Sequence, residues 1–172
     1  MRVVSLVPSS TETLLHLGAD VIACTRFCEQ PRISHVGGTK NPDIDAIVAL
    51  APDVVVLDRE ENRQEDAAAL KEAGVELFVS DVTTLAGALK VVRELATLVG
   101  GTSAPDVATA VAPIGRSVFV PIWRRPWMSI NGQTYGASLL EHLGCTLVTA
   151  EMDDAYPEVE LEQLSAWAPD VV

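Results

Sequence analysis

The sequence predicts an α/β fold with two lobes, and three observations support this. Apolar, strand-like runs alternate with helix-like segments along the 172 residues. The strand-like runs are continuous, which is typical of parallel strands covered on both faces. Two phrases of sequence also occur twice, once in each half of the chain. We therefore expect two Rossmann-like lobes with parallel sheets, an N-terminal lobe at 1–82 and a C-terminal lobe at 116–172, joined by a connecting helix region at 83–115.

The N-terminal lobe begins with Val3–Val7, an apolar run rich in β-branched residues that predicts a buried strand. Ser9 and Glu12 follow with the spacing of a capping box, which predicts that a helix begins at Ser9. Gly18 is expected to end this helix, because glycine adopts the left-handed conformation of a helix C-terminus at little cost. Further strands of this lobe are expected at Val21–Cys24, Val54–Leu57 and Val75–Val79.

Three more helices are expected in the first hundred residues. Asn41 followed by Pro42 predicts the start of the second helix, which should end near Pro52. The third should end at Gly74, and Thr84 should cap a longer fourth helix. This fourth helix has one apolar face, formed by Leu85, Leu89, Val92, Leu95 and Val99. The residues from 102 to 115 favour a short helix or a connector.

The second half of the chain repeats the first. "LLHLG" at Leu14–Gly18 matches "LLEHLG" at Leu139–Gly144, and "LAPDVV" at Leu50–Val55 matches "WAPDVV" at Trp167–Val172. Two similar lobes imply a cleft between them, and α/β proteins bind ligands in clefts beside the carboxyl ends of their strands. The repeated elements are expected as strands at 117–122 and 145–149 and helices at 134–144 and 159–167.

The composition excludes several classes of partner. The chain has 12 basic and 24 acidic residues, a net charge of −12, which argues against nucleic acid and anionic membranes as partners. Eleven acids and three bases lie between residues 41 and 81, a net charge of −8 that forms either a solvated face or a docking surface for a basic partner. No apolar run is long enough for a transmembrane segment.

The chemistry-bearing residues do not form a recognisable catalytic or metal-binding pattern. The sequence lacks the nucleophile-elbow, metalloprotease and phosphate-loop motifs, so we expect a binding protein and not an enzyme. Cys24 and Cys28 with His35 give fewer ligands than the four of a structural zinc site, so we expect no metal site. Buried thiols are the simpler interpretation of the two cysteines.

Three segments together resemble a known family: Arg2–Ala19, Asn41–Asp66 and Ile122–Gly144. They are similar to the substrate-binding proteins of ABC importers for cobalamin and ferric siderophores, the helical backbone metal receptors. The resemblance covers residues 1–100 and 116–172. It implies two lobes joined by one long helix, a metal chelate as ligand (cobalamin, a ferric siderophore or haem), no covalently bound cofactor, and an ABC permease as partner. It also implies that the C-terminal lobe at 116–172 is incomplete, because the second lobe of the family continues beyond the Ala-Pro-Asp phrase.

Candidate ligand contacts in the first lobe follow the predicted strands. Pro8, Ser9 and Ser10 open a helix, where backbone N–H groups can bind an anion; the alternative is a helix cap only. The resemblance places an aromatic over the ligand at Phe27; the alternative is a packing residue. A polar loop offers further contacts, or is a solvated loop in which Asn62 caps a helix. Its candidate residues are Arg59, Glu60, Glu61 and Asn62.

Candidate contacts in the second lobe lie in the loop "WRRPWM". Trp beside Arg suits a large, flat, partly anionic ligand, because arginine binds carboxylates and stacks on rings. The alternative is that one or both tryptophans pack in the core. The candidate residues are Trp123, Arg124, Arg125 and Trp127. The resemblance also implies that Asp45 docks on the permease.

Two other functions stay open. A sensor or carrier in the cytoplasm could use the same fold. An α/β enzyme could use Glu12, Glu60 or Glu61 as acid or base. The chain is expected to be cytoplasmic if Met1 is the native start, and periplasmic or otherwise extracytoplasmic if a leader was removed.

Overall fold

The computed structural model describes residues 1–101 and 111–172, which divide into two compact units. Unit 1 contains the described residues 1–81 and 90–101, and unit 2 contains 82–89 and 111–172. Part of the connecting helix region predicted at 83–115 falls at 102–110, outside the described residues. The predicted boundaries of the lobes remain predictions.

Unit 1 is built on a five-stranded parallel sheet with the strand order β3-β2-β1-β6-β7. A short antiparallel hairpin, β4 and β5, stands apart from it. The strands are β1 Arg2–Ser5, β2 Asp20–Cys24, β3 Ser34–His35, β4 Gly37–Gly38, β5 Asn41–Pro42, β6 Val54–Asp58 and β7 Leu77–Ser80. The helices are α1 Pro8–His16, α2 Ile44–Ala49, α3 Gln64–Glu72 and α4 Leu85–Leu98, of which α4 begins within unit 2. The predicted α/β class with a parallel sheet is confirmed.

The apolar runs are continuous because the sheet of unit 1 is covered on both faces. Val55 and Leu57 of β6 pack with Leu70 of α3 in one cluster. Val54 and Val56 pack on the other side, in a cluster that includes Leu14 of α1 and Leu95 of α4. Successive residues of a strand point to opposite faces, so each of the four apolar residues Val54–Leu57 of β6 enters one core or the other.

The start of α1 differs from the prediction. Pro8 is the first residue of the helix and Val7 is the N-cap, without a side-chain cap. The predicted capping box of Ser9 and Glu12 is therefore wrong, since Ser9 already lies inside the first turn. Proline fits the first turn of a helix because its fixed φ is helical and its missing N–H has no partner there.

The predicted start of α2 is also wrong. Asn41 and Pro42 form β5 and pair with Gly38 and Gly37. Asp43 is the N-cap instead, and its Oδ1 accepts a 3.0 Å hydrogen bond from the amide of Ala46. A proline is compatible with both a helix start and a short edge strand, so the dipeptide alone does not choose between them.

Unit 2 has shorter strands than the sequence predicts. Its parallel pair is β8 Ser117–Val118 and β9 Thr146–Leu147, and Val171 joins Val118 through a single parallel bridge. Two helices accompany these strands, α5 Tyr135–His142 and α6 Leu161–Trp167. Thr134 caps α5 by accepting from the amide of Ala137 at 3.3 Å. The apolar cluster of unit 2 contains Ile130, Ala137 and Leu147, with Val120, Leu140 and Ala150 against it.

The first Ala-Pro-Asp phrase fixes the return of the chain from α2 to the sheet. Ala51 adopts a left-handed conformation with φ +45°. Asp53 Oδ2 then accepts a 2.6 Å hydrogen bond from the amide of Arg2, and the Asp53 amide donates to the Arg2 carbonyl at 2.9 Å. The phrase therefore ends a helix and anchors the first residue of β1.

The second phrase performs the same task inside unit 2. Ala168 has φ +43°. Asp170 Oδ2 accepts from the amide and from the hydroxyl of Ser117, both at 2.8 Å. The amide of Val171 donates to the Ser117 carbonyl at 3.1 Å. The sequence repeat is thus a repeat of one helix-to-strand connection, made once in each unit.

Candidate functional site

The candidate residues of unit 1 lie at one edge of its sheet. β1, β2, β6 and β7 are parallel neighbours, so their carboxyl ends meet at the same edge. The segments that follow these strands carry the predicted contacts: Pro8–Ser10 after β1, Phe27 after β2 and Arg59–Asn62 after β6. We call this surface the carboxyl edge of unit 1.

The segment Pro8–Ser10 offers little side-chain surface. Pro8 is half-buried and Ser10 is buried, while Ser9 is exposed in the first turn of α1. The next residue, Thr11, is buried and its hydroxyl donates to the Val7 carbonyl at 2.9 Å. A ligand at this segment would therefore meet Ser9 and the start of the α1 backbone.

Phe27 lies on the surface, with 56% of its area exposed. The guanidinium of Arg26 lies 5.0 Å from the centroid of its ring. Neighbours on both sides hold the loop: Thr25 and Cys28 are buried, and the amide of Phe27 donates to the Thr25 hydroxyl at 3.3 Å. The exposed part of this ring, held on an anchored loop, is suited to ligand contact.

The loop Asp58–Asn62 divides into an exposed and a buried part. Arg59, Glu60 and Glu61 are exposed, and Arg59 pairs with Asp81 at 2.8 Å. Partial burial raises the pKa of Glu60, and the nearby carboxylates of Asp58 and Glu61 raise it further. The exposed part therefore presents a mixed set of charges to anything that binds the carboxyl edge.

Asn62 is not a helix cap, which corrects the second interpretation of this loop. The N-cap of α3 is Arg63, without a side-chain bond. Asn62 is only 8% exposed, and its Oδ1 accepts from the amide of Asp58 at 2.9 Å. Asp58 is buried as well, and its Oδ2 accepts from the Ser80 hydroxyl at 2.7 Å. The inward-facing role of Asp58 was not predicted, because its partner Ser80 lies 22 residues away along the chain.

In unit 2 the predicted contacts lie on a tight loop after β8. Trp123 is 63% exposed, and its carbonyl accepts from the amide of Met128 at 3.1 Å. Trp127 is half-buried, with the Arg124 guanidinium 5.7 Å from its ring centroid. Arg124 and Arg125 are exposed and form no ion pair with a described residue. Of the alternative that one or both tryptophans pack in the core, the part concerning Trp123 is wrong, whereas the half-buried Trp127 is compatible with it.

A buried polar cluster supports the base of this loop in unit 2. Asn131 is fully buried, its Nδ2 donates to the Met152 carbonyl at 2.9 Å, and its Oδ1 accepts from the amide of Gln133 at 2.8 Å. The hydroxyls of Ser129 and Thr149 lie 3.1 Å apart. Each of these buried polar groups has a hydrogen-bond partner inside unit 2, so the cluster holds the loop in place. The sequence did not indicate this cluster, because its bonded partners lie about 20 residues apart in the chain.

The thiols of unit 1 lie inside the structure. Cys24 and Cys28 are buried, and the Cys28 Sγ lies 3.4 Å from the Thr11 hydroxyl. Burial, and then the neighbouring Cys28, raise the pKa of Cys24 to about 12. Within residues 1–101 and 111–172, no three His, Cys, Asp or Glu side chains are grouped to hold a metal ion. His35 is exposed, and so is Asp45 in the first turn of α2.

No helix in the described part of the chain is both long and apolar enough to cross a bilayer.

Several known proteins are similar to this chain. The vitamin B12-binding protein of Photorhabdus laumondii is 24% identical over 194 residues, which covers 100% of this chain and 70% of that protein. The periplasmic heme binding protein HutB of Vibrio cholerae has a TM-score of 0.77 at 18% identity, covering 99% of this chain and 75% of that one. The Vibrio cholerae siderophore binding protein FhuD, bound to Fe³⁺–Desferal, has a TM-score of 0.75 at 17% identity, with 99% and 77% covered.

The family comparison covers most of the chain. Residues 3–107 of the 172 match the family described as periplasmic binding protein. Members of this family carry ligands and are not enzymes, so the predicted resemblance and the prediction of a non-enzyme are confirmed. The chain therefore belongs to the periplasmic binding protein family.

Proposed function

We propose that the chain captures a metal chelate, a corrinoid, a ferric siderophore or haem, for an ABC importer. The single observation that carries the proposal is a matching pair of surface features. Phe27 in unit 1 and Trp123 in unit 2 are exposed aromatics on loops that follow strand ends, each with an arginine beside it in sequence. Family membership makes a ligand carrier of this chain, and these two surfaces suggest the class of ligand.

Exposed aromatics next to arginines suit a flat or ring-containing ligand with acidic groups. An aromatic face packs against a macrocycle or a catechol ring, and a guanidinium donates two hydrogen bonds to a carboxylate in a fixed geometry. Arg124 and Arg125 are exposed without an ion pair to a described residue, so their donors are free for a ligand. Ligand contact by Pro8–Ser10, Arg59, Glu60 and Glu61 is part of the same proposal.

The similar proteins support the choice of chelates. One is named for vitamin B12, one for heme and one is bound to Fe³⁺–Desferal. All three ligands hold a metal in an organic chelator, although they differ in charge and in aromatic character. The cleft between the lobes, the ABC permease and the role of Asp45 as a docking acid belong to this proposal and are untested predictions.

The proposal is tested by equilibrium dialysis against hydroxocobalamin, a ferric catecholate, a ferric hydroxamate and haem. We expect one class to be retained at micromolar concentration or tighter, and retention to weaken in Phe27→Ala and Trp123→Ala. Ile114→Ala is the matched control, since Ile114 is a 54% exposed apolar residue that precedes β8. The proposal is contradicted if the folded chain retains no chelate. It is also contradicted if Phe27→Ala and Trp123→Ala retain the chelate as well as Ile114→Ala does.

A further inference from the structure

We infer that Asn62 is a positioning residue that fastens three segments at the carboxyl edge of unit 1 and touches no ligand itself. That this positioning serves ligand binding rests on the proposed function. The hydrogen bonds themselves belong to the ligand-free chain. It replaces the sequence prediction that Asn62 is a direct contact.

The side chain of Asn62 reaches three separate parts of unit 1. Its Oδ1 accepts from the amide of Asp58, the last residue of β6, at 2.9 Å. Its Nδ2 donates to the carbonyl of Leu6, just after β1, at 3.2 Å and to the carbonyl of Thr39 at 2.9 Å. The Thr39 carbonyl lies in the turn that joins β4 to β5. One residue thus joins two strand ends and the hairpin.

These bonds use up the donors of Asn62. An asparagine side chain has two N–H donors, and both are bonded to main-chain carbonyls. The residue is only 8% exposed, so a ligand has little access to the remaining oxygen lone pair. A direct polar contact to a ligand would require one of the existing bonds to break inside the structure, which is costly for a buried carbonyl.

The hairpin held by Asn62 is in turn the support of Phe27. The amide of Arg26 donates to the carbonyl of Gly37 at 2.8 Å. A Cβ atom on Gly38 would lie 3.1 Å from Cε2 of Phe27, so the ring packs closely against the hairpin backbone. The Lys40 ammonium donates to the carbonyl of Glu60, which ties the hairpin a second time to the loop after β6. Movement of the hairpin therefore moves the exposed aromatic.

Amide hydrogen exchange of the ligand-free chain tests this inference. The amides of Arg26 and Asp43 report on the hairpin, because they donate to Gly37 and Val36, and the amide of Val55 reports on the core. In Asn62→Ala we expect the exchange rate at Arg26 and Asp43, relative to Val55, to rise about tenfold. Asn62→Asp should behave similarly, because a carboxylate cannot donate to the two carbonyls.

Leu70→Ala is the control for a loss of stability that does not involve the hairpin. Leu70 is a buried core residue of α3, so its truncation opens the whole unit more often. We expect the ratio of the exchange rates at Arg26 and Asp43 to the rate at Val55 to stay at or below its wild-type value in this variant. An unchanged ratio in Asn62→Ala, or an equal rise in Leu70→Ala, overturns the inference.

A double-mutant cycle then connects Asn62 to binding. For a chelate retained in dialysis, Asn62→Ala should weaken binding in the wild-type background but much less in the Phe27→Ala background, because its effect passes through that ring. Fully additive losses contradict the positioning role. The exchange measurement decides the inference even if no chelate binds, so its failure and the failure of the proposed function are distinguishable.

Discussion

Truncation of Trp123 should weaken chelate binding by about 30-fold without lowering the stability of the chain. Trp123 is 63% exposed in the ligand-free structure. A tryptophan has about 250 Å² of surface at most, so about 160 Å² of Trp123 is available to a ligand. If a flat ligand covers half of that area, at about 25 cal/mol per Å² the contact contributes about 2 kcal/mol. That is a change of roughly 30-fold in Kd.

The assay compares Kd and thermal unfolding of the wild type, Trp123→Ala and Ile114→Ala. Kd is measured by titration with the chelate that dialysis retains, and ligand-free Tm by circular dichroism. Because the Trp123 side chain is mostly in solvent, its removal should leave Tm nearly unchanged. The reasoning is refuted by a Kd that changes less than about threefold, well below the predicted contribution. An equal weakening in Ile114→Ala also refutes it.

Asp170, Gly38 and the cysteines each give a further testable prediction. Asp170→Asn should lower Tm at neutral pH, and the deficit should shrink as the pH falls through the acid range. Gly38→Ala should weaken chelate binding with little change in Tm, because the added Cβ would lie 3.1 Å from Cε2 of Phe27 and displace that ring, whereas the exposed Asn41 side chain can rotate away. In the native chain, iodoacetamide should modify the half-buried Cys145 well before Cys24, because Cys24 is buried and its pKa is raised to about 12. Peptide mass mapping over time measures that order.

The pH dependence expected for Asp170→Asn follows from the hydrogen bonds that Asp170 accepts. The amide and hydroxyl of Ser117 donate to Asp170 and hold its pKa below the usual value. A carboxyl with a lowered pKa in the folded state contributes stability above its unfolded pKa, and that stability is lost as the pH falls through the folded pKa. A Tm deficit that is constant across pH contradicts this reasoning. Wild-type chelate affinity in Gly38→Ala contradicts the prediction for that variant. Faster labelling of Cys24 than of Cys145 contradicts the prediction for the cysteines.

The sheet of unit 1 could be predicted because its strands are buried on both faces. The run Val54–Leu57 was expected as a strand, and β6 is Val54–Asp58. A continuous apolar run of this kind leaves only a buried strand or a buried helix as alternatives, and its short length favours the strand. The strands of unit 2 were predicted less accurately. The run 117–122 contains Pro121, which has no N–H to donate to a ladder, and only Ser117–Val118 pairs as a strand.

Helix starts were harder to predict because several local patterns compete over a few residues. At α1 the first-turn proline takes precedence over the Ser9 capping pattern, and at α2 the side chain of Asp43 takes precedence over Asn41. Thr84 was predicted correctly as the cap of α4, and its hydroxyl accepts from the amide of Gly87 at 3.0 Å. No proline competes at that position.

The site could be predicted at the level of segments and not of single roles. The sequence indicates that Phe27 and Trp123 follow strands, but it does not indicate that both are exposed. The role of Asn62 depends on Leu6 and Thr39, which lie 56 and 23 residues away in the chain. Contacts over such separations arise only when the sheet has brought its strand ends together.

Native mass spectrometry with the four chelates tests directly whether this chain binds a metal chelate. We expect a one-to-one complex with one class of chelate, and a weaker signal for the same complex in Trp123→Ala. Chelate binding is contradicted if the chain, shown to be folded by circular dichroism, gives no complex with hydroxocobalamin, the ferric catecholate, the ferric hydroxamate or haem.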